Sequence, residues 1–239
     1  MKTSIIGLLD DAQKKMSGYA ALYNYRLHNL CVKANAEALL SISVDLDGVK
    51  LPIEKVARAR NPKDRDDQFE IYPDDREVLF PLVKGIKESH PEFDLDIRDV
   101  DVDENEAEED KMKYILATMP VVDDNRHDAL TEGVKTLSGL CDGKMEGTFA
   151  RCVADIAVRL ADAPPDELDE AKDALQELYD KHKELVKQFT DDKEQEIEDA
   201  YAAWQAAQAE KEAKQQEEEA AHNAMAGLQM KMNPDEEDE

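Results

Sequence analysis

The chain is poor in cysteine and aromatic residues, and it lacks a long hydrophobic run. Aromatic residues make up 5% of the 239 residues and hydrophobic residues 41%, a balance that favours helices packed through Leu, Val and Ala over a β-sandwich. No stretch approaches the roughly 18 apolar residues that span a membrane. The first apolar run is too short for a secretory signal and leads straight into acidic sequence. We therefore expect a cytoplasmic protein without membrane association.

The cysteine count excludes a disulfide framework. The three cysteines, Cys31, Cys141 and Cys152, all fall on apolar faces of predicted helices. Cys141 and Cys152 are separated by about 16 Å along one helix, which is too far for a disulfide. We expect three buried thiols in a reducing compartment.

Positive charge is also scarce. Fifty-seven Asp and Glu residues oppose 30 Lys and Arg residues, which gives a formal net charge of −27. Such acidity opposes non-specific attraction to nucleic acids and anionic membranes, and it favours basic partners.

Spacings typical of enzymes are absent from the sequence. None of the five histidines has a metal-ligand spacing or a cysteine at a useful interval. There is no glycine-rich phosphate loop and no nucleophile elbow. We therefore predict no catalytic residues, no cofactor and no enzymatic activity. His28 and His182 lie near apolar stripes, where we expect them at the edge of the core with their hydrogen bonds satisfied.

One acidic segment, residues 94–110, contains a partial calcium-loop spacing. Asp99, Asp101, Asp103 and Asp110 occupy the first, third, fifth and twelfth places of such a loop. The sixth place holds Glu104, where the loop requires glycine, and no helix pair flanks it. A solvated acidic edge or loop is the favoured interpretation, and calcium binding is the alternative.

Apolar residues recur at steps of three and four in three long stretches, as in amphipathic helices. The first stripe is Ile5, Leu9, Ala12, Met16, Tyr19, Tyr23, Leu27, Leu30 and Ala34. The second is Leu130, Val134, Leu137, Cys141, Met145, Phe149, Cys152, Ile156 and Leu160. The third is Ala171, Leu175, Leu178, Leu185, Phe189, Ile197, Tyr201 and Trp204. The pair Pro164-Pro165 ends the second helix and begins the third, and the first helix is predicted from Thr3 to Leu39.

Between the first two stripes the period changes to two. Residues 41–46 and 49–51 alternate apolar and polar around Asp47-Gly48, which predicts a hairpin. A short helical piece follows through Ile53, Val56 and Ala57. Further on, 68–72 predicts a strand, 74–90 a helix and 113–118 a last strand. The segment is predicted to be a small α+β domain.

Together these elements predict an α+β protein: a long antiparallel three-helix bundle with a small α+β domain inserted between helices 1 and 2, plus a C-terminal helical extension. Residues 1–40 and 123–204 form the bundle, and residues 41–122 form the insert. Residues 205–239 are a charged, solvated helical extension that ends in a disordered acidic tail.

Several local motifs occur in the same order. Residues 44–57 read V-x-x-x-G-x-x-x-P-I-x-x-V-A without a gap, and Phe69-Glu70-Ile71 is followed by Asp75-Arg76. Pro120, Asp124 and Arg126 precede the second long helix, and runs at 177–180 and 192–197 lie on the third. In order and spacing, residues 3–201 resemble the ribosome recycling factor family.

The resemblance implies a non-enzymatic, monomeric translation factor that binds between the ribosomal subunits through its bundle. With elongation factor G, such factors split the post-termination ribosome, and motion of one domain relative to the other accompanies their action. Their bundle contacts ribosomal RNA through arginines, which form fixed cationic forks for phosphate. The matching positions here imply Lys33, Arg126 and Lys144 as RNA contacts, with Arg151 nearby.

The arginine cluster of the family is mostly missing from this chain. Only Lys33 is basic within 30–34, and only Lys144 within 144–148. From Asp124 to Asp162, five basic residues face seven acidic ones. Each lost phosphate contact removes salt-sensitive affinity. The alternative is therefore a diverged paralogue that binds a basic protein through its acidic loop or its extension.

Overall fold

Three long helices and two antiparallel sheets make up the structure, a computed structural model that describes residues 3–34, 36–63, 65–100 and 112–232. The long helices are α1 (Thr3–His28), α3 (Asp124–Arg159) and α4 (Pro165–Met232). The insert between α1 and α3 contains α2 (Leu79–Ser89) and six strands. The predicted fold class, an α+β protein with a long helical bundle, is confirmed.

Helix α3 begins and ends where local chemistry favours it. The Asp123 carboxylate accepts a hydrogen bond of 2.9 Å from the backbone N–H of Arg126, and Asp124 places negative charge at the helix N-terminus. Arg159 places positive charge in the last turn. After a short turn, Pro165 occupies the first position of α4, where its missing N–H costs nothing.

The bundle core consists of two apolar clusters along its length. One lies where the start of α1 meets the end of α3 and the start of α4, and it includes Ile5, Ile156 and Leu175. The other lies toward the insert and includes Val134 and Met145. All three predicted thiols are free and buried. The antiparallel α1–α3 and α3–α4 pairs explain why each helix needs one apolar stripe.

Two polar residues, His182 and Lys193, occupy buried positions on α4. Because the predicted third stripe contained only apolar residues, it missed them and included a wrong neighbour. Leu185 was placed in the core but is 37% exposed, whereas neighbouring Val186 is 3% exposed. His182 is buried, with its Nδ1 2.8 Å from the carbonyl oxygen of Leu178 and its Nε2 2.9 Å from the Ser17 hydroxyl. Both ring nitrogens of His182 therefore have hydrogen-bond partners, as predicted.

The first helix is shorter than its apolar stripe predicts. Helix α1 ends at His28, and a turn follows in which the Leu30 N–H donates to the Leu27 carbonyl. Residues 36–41 form a separate 3₁₀ helix. The apolar spacing overestimates the length of the helix because Leu30 still packs on the bundle, whereas Cys31 packs in the insert. The chain therefore leaves the helix although its hydrophobic spacing continues.

The insert is a four-stranded antiparallel sheet with a hairpin and α2 on one side. Strands β1 (Ser43–Leu46) and β2 (Val49–Pro52) form the predicted hairpin, with Asp47 at φ 53° and Gly48 at φ 83°. The sheet has the order β3-β4-β6-β5, and its strands are β3 (Ala57–Arg60), β4 (Gln68–Pro73), β5 (Asp94–Asp99) and β6 (Lys113–Thr118). The strands predicted at 68–72 and 113–118 are confirmed.

Both edge strands of the sheet lie where the sequence pattern is weak. The helical piece predicted through Ala57 ends at Lys55, and β3 starts at Ala57. Strand β3 reads Ala-Arg-Ala-Arg, which has too little apolar alternation to indicate a strand. Strand β5 occupies the acidic segment interpreted as an edge or loop, and most of its side chains are exposed.

Gly85 allows α2 to approach β1. A Cβ at this position would lie 2.7 Å from the Ser43 carbonyl oxygen. We therefore expect Gly85→Ala to destabilise the protein by about 1–3 kcal/mol, because backbone must move. Gly139→Ala, in the middle of α3 with no side chain or other element within 4 Å of the added Cβ, should instead stabilise it by about 1 kcal/mol. Denaturant unfolding measures the free energy of unfolding of both variants. Equal effects of the same sign would contradict a close approach of α2 to β1 at Gly85.

Helix α4 continues beyond the bundle as the predicted extension. The Tyr201 hydroxyl donates to Asp124 at 2.6 Å, and its ring stacks on His127 at 4.3 Å. Beyond Trp204 the helix runs about 40 Å further to Met232. From 205 to 222 every side chain is exposed except the half-buried Gln208. Among the described helices, none has the length and apolar character required to cross a membrane.

Candidate nucleic-acid interface

Three of the four predicted RNA contacts lie along one side of α3. Lys144 follows Arg126 by about 27 Å, and Arg151 follows Lys144 by about 10 Å, at nearly the same angle around the helix. Lys144 and Arg151 are exposed, whereas Arg126 is half-buried. The structure therefore places Lys144 and Arg151 within two turns of each other in the second half of α3 and Arg126 in its first turn.

Arg126 points into the protein. Its Nη2 donates a 2.6 Å hydrogen bond to the Cys31 carbonyl oxygen. Its Nε is buried and has no hydrogen-bond partner among the described residues. Burial lowers the pKa of the guanidinium, and the negative charge of Glu92 opposes this shift. An arginine held in this way cannot offer its fork to a phosphate without breaking an internal contact.

Lys33 lies on another surface. It is exposed and lines a cavity of about 290 Å³ between the end of α1 and the middle of α4. The cavity is lined by Asn24, Leu27, His28, Lys33, Phe189, Asp192, Lys193 and Glu196. Two carboxylates therefore share this cavity with Lys33, which makes it a poor phosphate site.

Lys144 belongs to a groove between α1 and α3 that sequence reasoning did not identify. Its Nζ lies 5.7 Å from the centre of the Tyr19 ring, a cation–π distance. The groove continues past the partly exposed Leu22 and Leu140 to Arg26. Arg26 is exposed and comes from the last turn of α1.

Toward the other end of the same groove, Lys15 lies near Arg151. Burial and the carboxylates of Asp155 and Asp11 raise the pKa of the Cys152 thiol, whereas Lys15 and Arg151 oppose this shift, so two cations and two carboxylates act on one buried sulfur. We refer to the α1–α3 groove as the surface formed by Lys15, Tyr19, Leu22, Arg26, Leu140, Lys144 and Arg151. It combines four cations with apolar and aromatic side chains.

The basic residues of α1 could have been found from their spacing. Lys15 and Arg26 are eleven residues apart, which is three helical turns, so both lie on one face. Their spacing carries no family motif, and only packing against α3 gives these residues their neighbours. Two cations from each helix thus form a four-residue group that neither helix predicts alone.

The negative charge of the molecule lies elsewhere. Helix α1 carries three basic and two acidic residues, and α3 carries five basic and six acidic ones. Helix α4 carries eight basic and nineteen acidic residues. The α1–α3 groove therefore gathers four cations, with Asp11 and Asp155 at its Lys15–Arg151 end. Carboxylates farther than about 10 Å away are largely screened at ordinary salt.

Only one of the four aspartates with calcium-loop spacing, Asp99, lies within the described residues. Within the described ranges, no three His, Cys, Asp or Glu side chains form a group that could hold a metal ion. Asp99 ends β5, with a carboxylate oxygen 4.0 Å from the Lys113 ammonium. Asp101, Asp103 and Asp110 lie outside the described residues, so calcium binding by this segment stays a prediction.

A three-helix bundle with an α+β domain inserted after its first helix is the architecture of ribosome recycling factors, and this chain has that fold. It is similar to the solution structure of a ribosome recycling factor, with a TM-score of 0.64 and 20% identity over 83% of this chain and 100% of that chain. It is also similar to the T. thermophilus ribosome recycling factor placed with E. coli elongation factor G on the E. coli post-termination complex, with a TM-score of 0.54 and 19% identity over 81% and 98% of the two chains. No protein-family profile matches the sequence. No curated protein matches it either.

Proposed function

We propose that this chain is a non-enzymatic, cytoplasmic translation factor that binds ribosomes and assists dissociation of post-termination complexes, as a ribosome-recycling-factor-like protein. The observation that carries the proposal is the α1–α3 groove, which gathers four cations beside aromatic and apolar side chains on the bundle of a recycling-factor fold. By analogy with the structure on the post-termination complex, elongation factor G is the expected protein partner.

The chemistry of the groove suits RNA. Lys15, Arg26, Lys144 and Arg151 would neutralise phosphates, and each such contact releases condensed counterions. Tyr19 offers an aromatic side chain beside them, and Leu22 and Leu140 add apolar contact. Of the four contacts implied by the resemblance, Lys144 and Arg151 belong to this surface. Arg126 and Lys33 would act elsewhere or not at all.

Co-sedimentation with purified ribosomes tests the proposal. We expect the chain to pellet with ribosomes at low salt, with an observed binding constant that falls linearly with salt on logarithmic axes. Four phosphate contacts predict a slope of about −3 to −4. A chain that remains in the supernatant at the lowest salt would overturn the proposal.

A second candidate function is supported by the extension of α4. Its side chains from 205 to 222 are almost all exposed, and five carboxylates lie between Glu210 and Glu219. Such a surface would attract a basic protein partner. The test is to compare proteins captured by the full chain with those captured by a chain that ends at Trp204, in an extract cleared of ribosomes. Identical sets would count against the extension as a binding surface.

A further inference from the structure

Three rings stack at the point where α4 leaves the bundle. The imidazole of His127, near the start of α3, lies 4.3 Å from the Tyr201 ring at an interplanar angle of 27°. The Tyr201 ring lies 5.9 Å from the ring of Trp204 at an angle of 15°. All three side chains are half-buried, and the exposed extension begins directly after Trp204. The rings therefore keep part of their surface in contact with water.

Carboxylates surround this stack. The Tyr201 hydroxyl donates to Asp124 at 2.6 Å, and the two ring nitrogens of His127 lie 2.8 Å from Glu198 and 3.4 Å from Asp128. Each of these contacts uses one carboxylate oxygen, whereas an ionised carboxylate can accept about four hydrogen bonds. The side chains of Asp128 and Glu198 are 88% and 61% exposed, so both can accept hydrogen bonds from a ligand. We name the group the acidic aromatic cluster: Asp124, His127, Asp128, Glu198, Tyr201 and Trp204.

Most charges near the acidic aromatic cluster are negative. From 194 to 204, α4 carries four acidic residues and no basic one. Residues 123–128 add three aspartates, and their one arginine, Arg126, donates to a backbone carbonyl inside the protein. The hydrogen bond with Glu198 raises the pKa of His127, so a protonated imidazole offsets part of the negative charge. The cluster as a whole attracts cations and repels phosphates.

The nearest lysines along the two helices do not neutralise the cluster. Lys135 of α3 and Lys211 of α4 each lie about two helical turns, or about 10 Å, beyond it. Lys193 is buried, and its ammonium lies 2.7 Å from the Glu196 carboxylate. The exposed carboxylates of the cluster thus face solvent without a lysine beside them among the described residues.

Rings flanked by carboxylates suit the side chain of arginine. The guanidinium is planar, so it can stack on an aromatic face while its N–H groups donate to a carboxylate. A lysine ammonium is a point charge and offers no plane that stacks. Because the three rings are already held by one another and by hydrogen bonds, binding costs little further side-chain entropy.

We propose that the acidic aromatic cluster is a docking site for an arginine-bearing segment of a basic protein, with Tyr201 and Trp204 as the stacking surface and Asp128 and Glu198 as hydrogen-bond acceptors. The site is separate from the extension, because a chain that ends at Trp204 keeps all six residues. Failure of the extension as a binding surface would therefore leave this site intact. The inference does not depend on ribosome binding.

The fluorescence of Trp204 in the full chain tests the proposal, because it is the only tryptophan. The probes are tetra-arginine and tetra-lysine at ordinary salt. We expect tetra-arginine to change the emission of Trp204 to saturation and to bind about fivefold more tightly than tetra-lysine. A single-stranded RNA oligonucleotide should leave the emission unchanged, since the carboxylates repel its phosphates.

Two variants separate the cluster from the total charge. Asp128→Asn/Glu198→Gln removes two negative charges but keeps oxygens that accept hydrogen bonds, and it should weaken binding of tetra-arginine by about tenfold. Glu217→Gln/Glu218→Gln is the matched control and removes the same charge about 20 Å further along α4. It should weaken binding by less than about twofold, because a tetrapeptide spans only about 13 Å.

An emission of Trp204 that tetra-arginine leaves unchanged would overturn the proposal, and so would a response to the RNA oligonucleotide in its place. Equal losses in the two variants would show that binding follows total charge and would overturn it as well. Equal affinities for tetra-arginine and tetra-lysine would exclude stacking of a guanidinium on the rings, with the same consequence.

Discussion

Reversing the charge of Lys144 and Arg151 together is expected to weaken ribosome binding by about 100-fold at moderate salt. Each phosphate contact contributes roughly tenfold near 0.1 M salt, and a carboxylate in its place adds repulsion. The slope of the binding constant against salt should become shallower by about two units. Co-sedimentation across a salt series measures both quantities for Lys144→Glu/Arg151→Glu.

The matched control changes the net charge equally on another surface. Lys181 and Lys187 are exposed on α4, away from the α1–α3 groove. Lys181→Glu/Lys187→Glu should weaken binding by less than about threefold, because only the long-range field changes. Equal losses in the two variants would show that binding responds to total charge, and the groove would then have no special role.

The contrast between these variants depends on where the charge lies. The sequence total of −27 predicted weak attraction to RNA, because a sum cannot say which carboxylates share a surface with which cations. In the structure, most carboxylates of the described helices belong to α4, whereas α1 has more basic than acidic residues. A prediction from total charge therefore cannot locate a basic surface where helices of unequal charge are packed side by side, and the predicted weak attraction to RNA stays a prediction.

The bundle and the hairpin could be predicted because each follows from a local rule. Three-and-four spacing requires only the helix period, and Asp47-Gly48 requires only the turn. The end of α1 could not be predicted, since Leu30 and Cys31 continue the spacing while packing in different cores. Only the three-dimensional placement of the insert makes the chain turn after His28.

The candidate site, too, could be predicted only in part. Lys144 and Arg151 were identified because they match or lie near a family motif, and both are exposed. Arg126 matches a motif as well, yet its guanidinium is directed at the Cys31 carbonyl. A motif gives the residue type and the position along a helix. It does not give the direction of the side chain, which is set by neighbours 95 residues away in sequence.

Phe69→Ala is expected to destabilise the insert by about 3–5 kcal/mol and to leave the bundle folded. Phe69 is fully buried, and its ring lies 6.2 Å from that of Phe93. The apolar cluster that contains Phe69 shares no residue with the two clusters of the bundle. Amide exchange should therefore lose its protection in β4 and β6, while α1 and α3 keep theirs.

Phe80→Ala is the matched control, because Phe80 is 74% exposed on α2. It should change the stability of the insert by less than about 0.5 kcal/mol. If α1 and α3 also lose amide-exchange protection in Phe69→Ala, the cores of the bundle and the insert are not independent. The bundle would then need the insert to fold.

Measuring ribosome binding by the Phe69→Ala variant then shows which domain contributes to binding. The α1–α3 groove lies wholly on the bundle, so the salt slope of ribosome binding should be unchanged in this variant. Any step that needs a folded insert should fail in this variant. Retained binding with lost dissociation of post-termination complexes would assign RNA contact to the bundle and the later step to the insert. Loss of binding together with intact α1 and α3 would instead place essential ribosome contacts on the insert.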